Sequence, residues 1–196
     1  MSSGAIAVGT EKLGLSERPR ELRVKQAAAA VGQCRMMHIY DKLFGEYNQS
    51  VAQILLTGDD VEDLARAEHL RGTFSALLEM GVIPVVNEND SVSSAEIETG
   101  RHKVLGDNDT LSAIVASLCG ADLLVLLSDI DGLYSADPRV DPGAKLLHRV
   151  TELTPDILDM AGNPGTWRGT GGMATKLSAA KIALEAGCDM VITNGA

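Results

Sequence analysis

Four short runs, residues 51–56, 82–86, 122–127 and 190–193, are apolar almost throughout, and the stretches between them carry hydrophobic residues at helical spacing. A strand with one wet face alternates apolar and polar residues, whereas a continuous apolar run marks a strand buried on both faces. Parallel neighbours need long crossovers, and the intervening stretches are long enough to supply helices. The chain is therefore expected to be an α/β protein, a three-layer α/β/α sandwich around a mostly parallel central sheet. With 196 residues, 45% of them hydrophobic, one domain over 1–196 can bury such a core.

The helical segments follow from periodicity and punctuation. Ser3 and Gly4 are expected to cap a short helix that fades by Gly14, followed by a charged loop over 16–20. A long helix runs from about Glu21 to Tyr47, bent near Gly32. Thr57 starts another, with Leu64, Ala67, Leu70, Phe74, Leu77 and Leu78 on one face and Gly81 as its stop. Pro84 biases the second strand toward irregular or edge pairing. Residues 91–105 read as a loop or small hairpin, 111–118 as a helix, and 128–132 as a turn. A surface connection over 136–143 leads to a short helix at 154–161 and a glycine-rich loop at 163–172. A last helix over 173–186 directs Ala174, Leu177, Ala180 and Leu184 at the core.

A net charge of −10 argues against nucleic acid as a partner, since backbone binding needs clustered Lys and Arg. Cys34, Cys119 and Cys188 are odd in number and sit in apolar surroundings, so they read as reduced core residues rather than a disulfide framework or zinc site. No apolar run approaches a membrane span and no leader pattern follows Met1, which favours the cytoplasm. The four histidines lack metal-ligand spacing, and no nucleophile elbow is present. The chain opens on a loop-to-helix signal with no strand before it and closes just after a strand-like run, so both ends are expected to be cut.

Three places could carry chemistry. Asn87, Glu88, Asn89 and Asp90 end the second strand-like run, and Asp107, Asn108 and Asp109 precede the helix that begins near Leu111. One helix cap needs fewer polar residues than that, and in open α/β sheets ligands bind beyond the carboxyl ends of strands. Residues 169–176, Gly-Thr-Gly-Gly-Met-Ala-Thr-Lys, place glycines and a lysine around a helix start. Such a loop admits an anion to backbone N–H groups and adds a point charge, although it is not the Walker pattern and a purely structural loop is equally open. Ser128 and Asp129 end the most apolar strand, where a nucleotide could sit; a turn whose Asp caps local backbone is the alternative. Taken together, a cationic loop for phosphates and amide and carboxylate clusters for a small zwitterion would suffice for phosphoryl transfer.

These residues, with residues 2–6 (Ser-Ser-Gly-Ala-Ile), Lys25-Gln26-Ala27, residues 30–33 and residues 127–134, appear in an order that resembles the glutamate 5-kinases of the amino acid kinase family. The resemblance covers nearly the whole chain. It implies transfer of a phosphoryl group from ATP to L-glutamate, the first step of proline synthesis, with Mg2+ bridging the ATP phosphates and held mainly by them and by water. It implies glutamate contacts at Ser3, Asp90 and Asn108, with Asn87 and Asp107 close by. It further implies nucleotide contacts at Ser128, Asp129, Thr170, Gly171, Gly172, Met173, Ala174, Thr175 and Lys176. Lys176 would stabilise the transferring group and Asp109 would position catalytic lysines. A homo-oligomer, dimer or tetramer, also follows from the resemblance alone.

The sequence departs from that pattern in places. The family begins with a strand and a glycine-rich turn carrying a second phosphate-binding lysine, and neither precedes Ser2; the appended RNA-modification-type domain of many members is also missing. Residues 99–105, with Arg101, His102 and Lys103, form a longer lead-in than usual. On this basis the chain alone is expected to be weakly active or inactive, though a full-length parent would be a kinase. Alternatives are a nucleotide- or amino-acid-binding module that has lost transfer, and a related kinase acting on acetylglutamate, aspartate, carbamate or uridylate.

Overall fold

Four strands form, close to where the apolar runs place them, in a computed structural model that describes residues 1–92, 107–160 and 172–195. The expected loop or hairpin beyond Val92, and the glycine loop up to Gly171, lie outside the described residues. The chain divides into two units, Met1–Asn108 and Asp109–Ala196. Helices alternate with parallel strands in both, so the α/β class stands. Among the described residues no helix is long and apolar enough to cross a membrane.

The first unit holds α1 (Ala5–Lys12), α2 (Leu22–Gly45), β1 (Val51–Leu56), α3 (Gly58–Glu62), α4 (Leu64–Glu79) and β2 (Ile83–Glu88). β1 and β2 pair in parallel, from Val51 opposite Ile83 to Leu56 opposite Glu88. Pro84 sits inside this ladder without breaking it. The N–H groups of Ile83 and Asn89 point at β1, bonding Ser50 O at 2.9 Å and Leu56 O at 2.7 Å, so the even-numbered residues of β2 face the other way. The donor that Pro84 lacks is therefore one β1 does not use.

α2 is one uninterrupted helix, and Gly32 has a different task from bending it. A Cβ there would lie 1.8 Å from the Ala5 carbonyl oxygen, and one at Gly9 would lie 1.7 Å from the Ala28 oxygen. The two glycines let α1 and α2 touch backbone to backbone. The helix expected from Thr57 is broken instead at Asp63, which takes an extended conformation and caps α4 by accepting from Arg66 N–H at 2.9 Å. That restart turns Leu64 outward, 88% exposed, and leaves Leu78 53% exposed; the buried face is Ala67 and Phe74.

Asp60 closes the α3 end, accepting from the Thr57 N–H at 2.8 Å, the Thr57 hydroxyl at 2.7 Å and Arg66 at 3.0 Å. Partial burial opposes ionisation, but the Thr57 bonds and Arg66 outweigh it and hold the carboxyl below its ordinary 3.8. A lowered folded-state pKa gives stabilisation that is complete above the ordinary value and is lost as pH falls through the folded one. Asp60→Ala should therefore melt at lower temperature than the parent at pH 7, with the gap closing as pH falls below the ordinary carboxylate value and through the lowered one. A gap independent of pH would show that the carboxylate is not the cause.

The second unit holds nearly all of α5 (Asn108–Cys119), then β3 (Leu123–Ser128), α6 (Pro155–Met160), α7 (Met173–Glu185) and β4 (Asp189–Asn194). β3 and β4 pair in parallel, Leu123 opposite Asp189 through Ser128 opposite Asn194. Ala113 and Ala116 of α5 and Ala179 and Ala183 of α7 pack on Leu126 and Cys188, small residues that let both helices lie close to one sheet face. α7 also borders a second cluster through Leu177, which meets Leu133. Ala179 and Ala183 thus take the inward role expected of Leu184, which is 46% exposed. Within this unit Leu123, Val125, Leu127 and Val191 are 53, 46, 71 and 43% exposed. Of the cysteines only Cys188 is in the core; Cys34 is exposed and Cys119 intermediate, and all three are free. Burial pushes the Cys119 and Cys188 thiols up, away from the reactive thiolate.

Candidate active site

In the first unit the polar end of β2 is part of the strand itself. Asn87 and Glu88 remain in the ladder, opposite Leu55 and Leu56, and Asn87 is buried at 4% exposure. Asp90 follows, half-buried, and the Ser91 hydroxyl donates to Asn89 Oδ1 at 2.6 Å. On the β2 side facing away from β1, the Ser2 N–H donates to Val86 O at 3.0 Å. The Ser2 carbonyl accepts from Asn108 Nδ2 at 3.3 Å, and its Oγ accepts from the Tyr40 hydroxyl at 3.0 Å. Ser3 is exposed beside this buried Ser2, and Gly4 turns the chain into α1 at φ 92, a left-handed conformation that suits glycine. The structure thus brings Asn87, Asn108 and the Ser2-Ser3 turn together. α5 begins at Asn108, so Asn108 and Asp109 lie in its first turn rather than ahead of it, with half-buried Asp107 preceding.

Ser2 and Tyr40 were not singled out by sequence reasoning. Tyr40 lies in the hydrophobic spacing of α2, and nothing local reveals that its hydroxyl meets a residue 38 positions away.

In the second unit the decisive group is an ion pair. Lys176 Nζ lies 3.0 Å from Asp109 Oδ2, their side chains only 9 and 19% exposed. The Thr175 hydroxyl is 2.9 Å from the same carboxylate oxygen and 2.7 Å from Gly172 O, and its one proton serves either. Asp109 is the acidic residue of the α5 first turn, where a helix favours negative charge. Lys176 sits in the first turn of α7, where a cation is disfavoured, so Asp109 offsets a placement the helix alone resists. Gly172 caps α7 without a side chain, and the first turn holds no acidic residue; a helix start of this kind favours an anion. Met173, Ala174 and Thr175 form that turn; Thr170 and Gly171 lie outside the described residues.

Ser128 ends β3, and its hydroxyl donates to Asp129 Oδ1 at 3.2 Å. Asp129 is held below the usual carboxylate range by its own backbone N–H first, then by Ser128, with Arg139 adding to both from 3.2 Å. An ionised, exposed carboxylate beside a hydroxyl at a strand end can accept from ribose hydroxyls or an amine. Neighbouring Asp131 accepts from Asn194 at 2.9 Å, tying together the carboxyl ends of β3 and β4. A cavity of about 650 Å3 also opens in this unit, walled by Leu133, Leu146, Leu177, Leu184 and Val191 among others. None of the sequence-predicted residues lines it. Among the described residues no group of three His, Cys, Asp or Glu is placed to hold a metal ion.

The chain as a whole has matches among known proteins. The model for the amino acid kinase family matches residues 1–194. The chain belongs to the amino acid kinase family. A glutamate 5-kinase from Clostridium perfringens is 54% identical over 195 residues, all of this chain and 72% of that protein. Another, from Carboxydothermus hydrogenoformans, is 56% identical over 192 residues, 98% of this chain and 50% of that protein. Among solved structures, carbamate kinase from Giardia lamblia bound to AMP-PNP aligns with a TM-score of 0.55 at 15% identity, covering 97% of this chain and 76% of that one. That likeness is one of fold, and the kinase family itself implies ATP use.

Proposed function

We propose that this chain transfers the γ-phosphoryl group of ATP to the side-chain carboxylate of L-glutamate, forming L-glutamyl 5-phosphate and ADP, the first step of proline biosynthesis. The observation that carries this reading is 54% identity to a glutamate 5-kinase across all of this chain. The residue chemistry supports it. A carboxylate oxygen of glutamate, ionised at pH 7, attacks the γ-phosphorus, and the bond to the β-phosphate oxygen breaks with its electrons leaving on ADP. No strong base is needed, so the protein's work is positioning and neutralisation of charge. Lys176, oriented by Asp109, meets the equatorial oxygens of the moving group; Thr175 and the first-turn N–H groups of α7 hold phosphates, as the resemblance also assigns to Thr170 and Gly171. Ser128 and Asp129 bind the nucleoside. Ser3, Asn87, Asp90, Asp107 and Asn108 form the glutamate set, amides and hydroxyls for its α-carboxylate and carboxylates for its ammonium. Bound with the nucleotide, Mg2+ would supply further neutralisation of phosphate charge. Three free thiols suit a reducing cytoplasm.

The test is to incubate the chain with ATP, Mg2+, hydroxylamine and either L-glutamate, L-aspartate or N-acetyl-L-glutamate, measuring hydroxamate and ADP. Hydroxamate in equal amounts to ADP, formed slowly and with L-glutamate only, is the expected result. Product from another acid, or none from glutamate together with no nucleotide binding, would overturn it.

A further inference from the structure

We infer that Tyr40 is a positioning residue for glutamate, acting through Ser2; the inference rests on the glutamate reading above. Ser2 precedes α1 and belongs to no strand ladder, yet it is buried at 8% exposure. Its location is set by three bonds: its N–H to Val86 O at 3.0 Å, its carbonyl from Asn108 at 3.3 Å and its Oγ from Tyr40 at 3.0 Å. Each of the first two leads to the glutamate set. Val86 is followed by Asn87, Asn108 is itself a member, and Ser3 is the next residue along. Among the described residues Ser2 thus adjoins Ser3 and bonds both Asn108 and the residue before Asn87. Of its three anchors only the Tyr40 bond is made by the side chain.

Tyr40 is a suitable anchor because it is fixed from elsewhere. It lies inside the 24-residue α2, and its ring stacks on Phe44 with centroids 6.3 Å apart and planes 21° from parallel. α1 and α2 meet through Gly9 and Gly32, so the helix carrying the hydroxyl and the helix that follows Ser2 cannot drift apart independently. Losing the hydroxyl releases Ser2 Oγ while leaving the ring and the α1–α2 contact in place. The turn that sets the Asn108 amide and Ser3 then samples more positions, and substrate affinity falls.

The experiment measures equilibrium binding of radiolabelled L-glutamate, and separately of AMP-PNP with Mg2+, to the full chain and to Tyr40→Phe, Ser2→Ala and the double variant. Tyr40→Phe should weaken glutamate binding roughly three- to tenfold, the worth of one hydrogen bond, with AMP-PNP affinity unchanged. Ser2→Ala should give the same loss, and the double variant no more than either alone, because all three remove a single bond. Glutamate affinity within twofold of the parent in Tyr40→Phe, additive losses, or an equal loss of AMP-PNP affinity would each overturn the positioning role. A parent chain that binds AMP-PNP but not glutamate would overturn the functional reading itself, and this inference with it.

Discussion

Replacing Lys176 by alanine is expected to lower glutamyl phosphate formation by about a hundredfold to a thousandfold, the loss that follows removal of one stabiliser of a developing oxyanion. The effect should fall on kcat, because a charge that meets the moving phosphoryl group acts most strongly when that group is in flight. Asp109→Ala should match it in activity but exceed it in lost stability. The ammonium of Lys176, 3.0 Å from Asp109 Oδ2 on a side chain 9% exposed, would lose its carboxylate in an interior too dry to hydrate it. Breaking such a pair from one side costs about 3 kcal/mol, toward the lower end for buried pairs because Asp109 retains 19% exposure. The reciprocal change is milder, since Asp109 keeps the Thr175 hydroxyl at 2.9 Å. Removing both charges with Asp109→Ala and Lys176→Met should recover most of the stability and none of the activity, because an apolar chain of similar length tolerates the site but cannot neutralise a phosphoryl group. Urea unfolding beside the hydroxamate assay measures both quantities on the same samples. A double variant no more stable than Asp109→Ala, or a Lys176→Ala chain with parental kcat, would remove the pair from the mechanism.

The strands were legible because continuous apolar runs such as 122–127 have few other solutions in a chain of this composition. The chemistry at element ends was legible for a related reason: Asn87, Asn108 and Asp109 are more polar than the packing of β2 and α5 requires. What escaped the sequence was either a choice among equivalent local caps or a meeting of residues far apart in the chain. The restart at Asp63 turns on one side-chain oxygen capping Arg66, which Asp and Asn throughout the chain could equally have done. The exposure of Leu123, Val125 and Leu127 escaped because apolarity shows what a residue favours, not how much of it is buried. Tyr40 belongs to the hydrophobic spacing of α2, and its hydroxyl gains a role only where it meets Ser2, 38 positions away. A glycine inside a helix suggests a bend because helix interiors disfavour it, but the cause at Gly32 is the backbone of α1.

That cause predicts two alanine substitutions of opposite sign. In an open helix interior, Gly→Ala stabilises by about 1 kcal/mol, since alanine restricts the unfolded chain and suits the helix. Gly72 in α4 is such a position, with nothing within 4 Å of an added Cβ, and Gly72→Ala should raise the melting temperature by a few degrees, roughly the shift 1 kcal/mol produces in a domain this size. At Gly32 the same methyl group would lie 1.8 Å from Ala5 O and 2.9 Å from Gly9 N. Both neighbours are backbone, so no side chain can swing aside; α1 must move by more than an ångström or the substitution is not accommodated. Overpacking of this kind costs about 3 kcal/mol, and the helical gain of about 1 kcal/mol does not offset it. Moving α1 also shifts Ser2, so Gly32→Ala should weaken glutamate binding as well as stability, whereas Gly72→Ala should leave binding untouched. Gly9→Ala, meeting Ala28 O at 1.7 Å, should behave like Gly32→Ala. Thermal unfolding and glutamate titration on the three variants suffice, and a Gly32→Ala chain as stable as the parent would mean that α1 and α2 do not meet as closely as their two glycines allow.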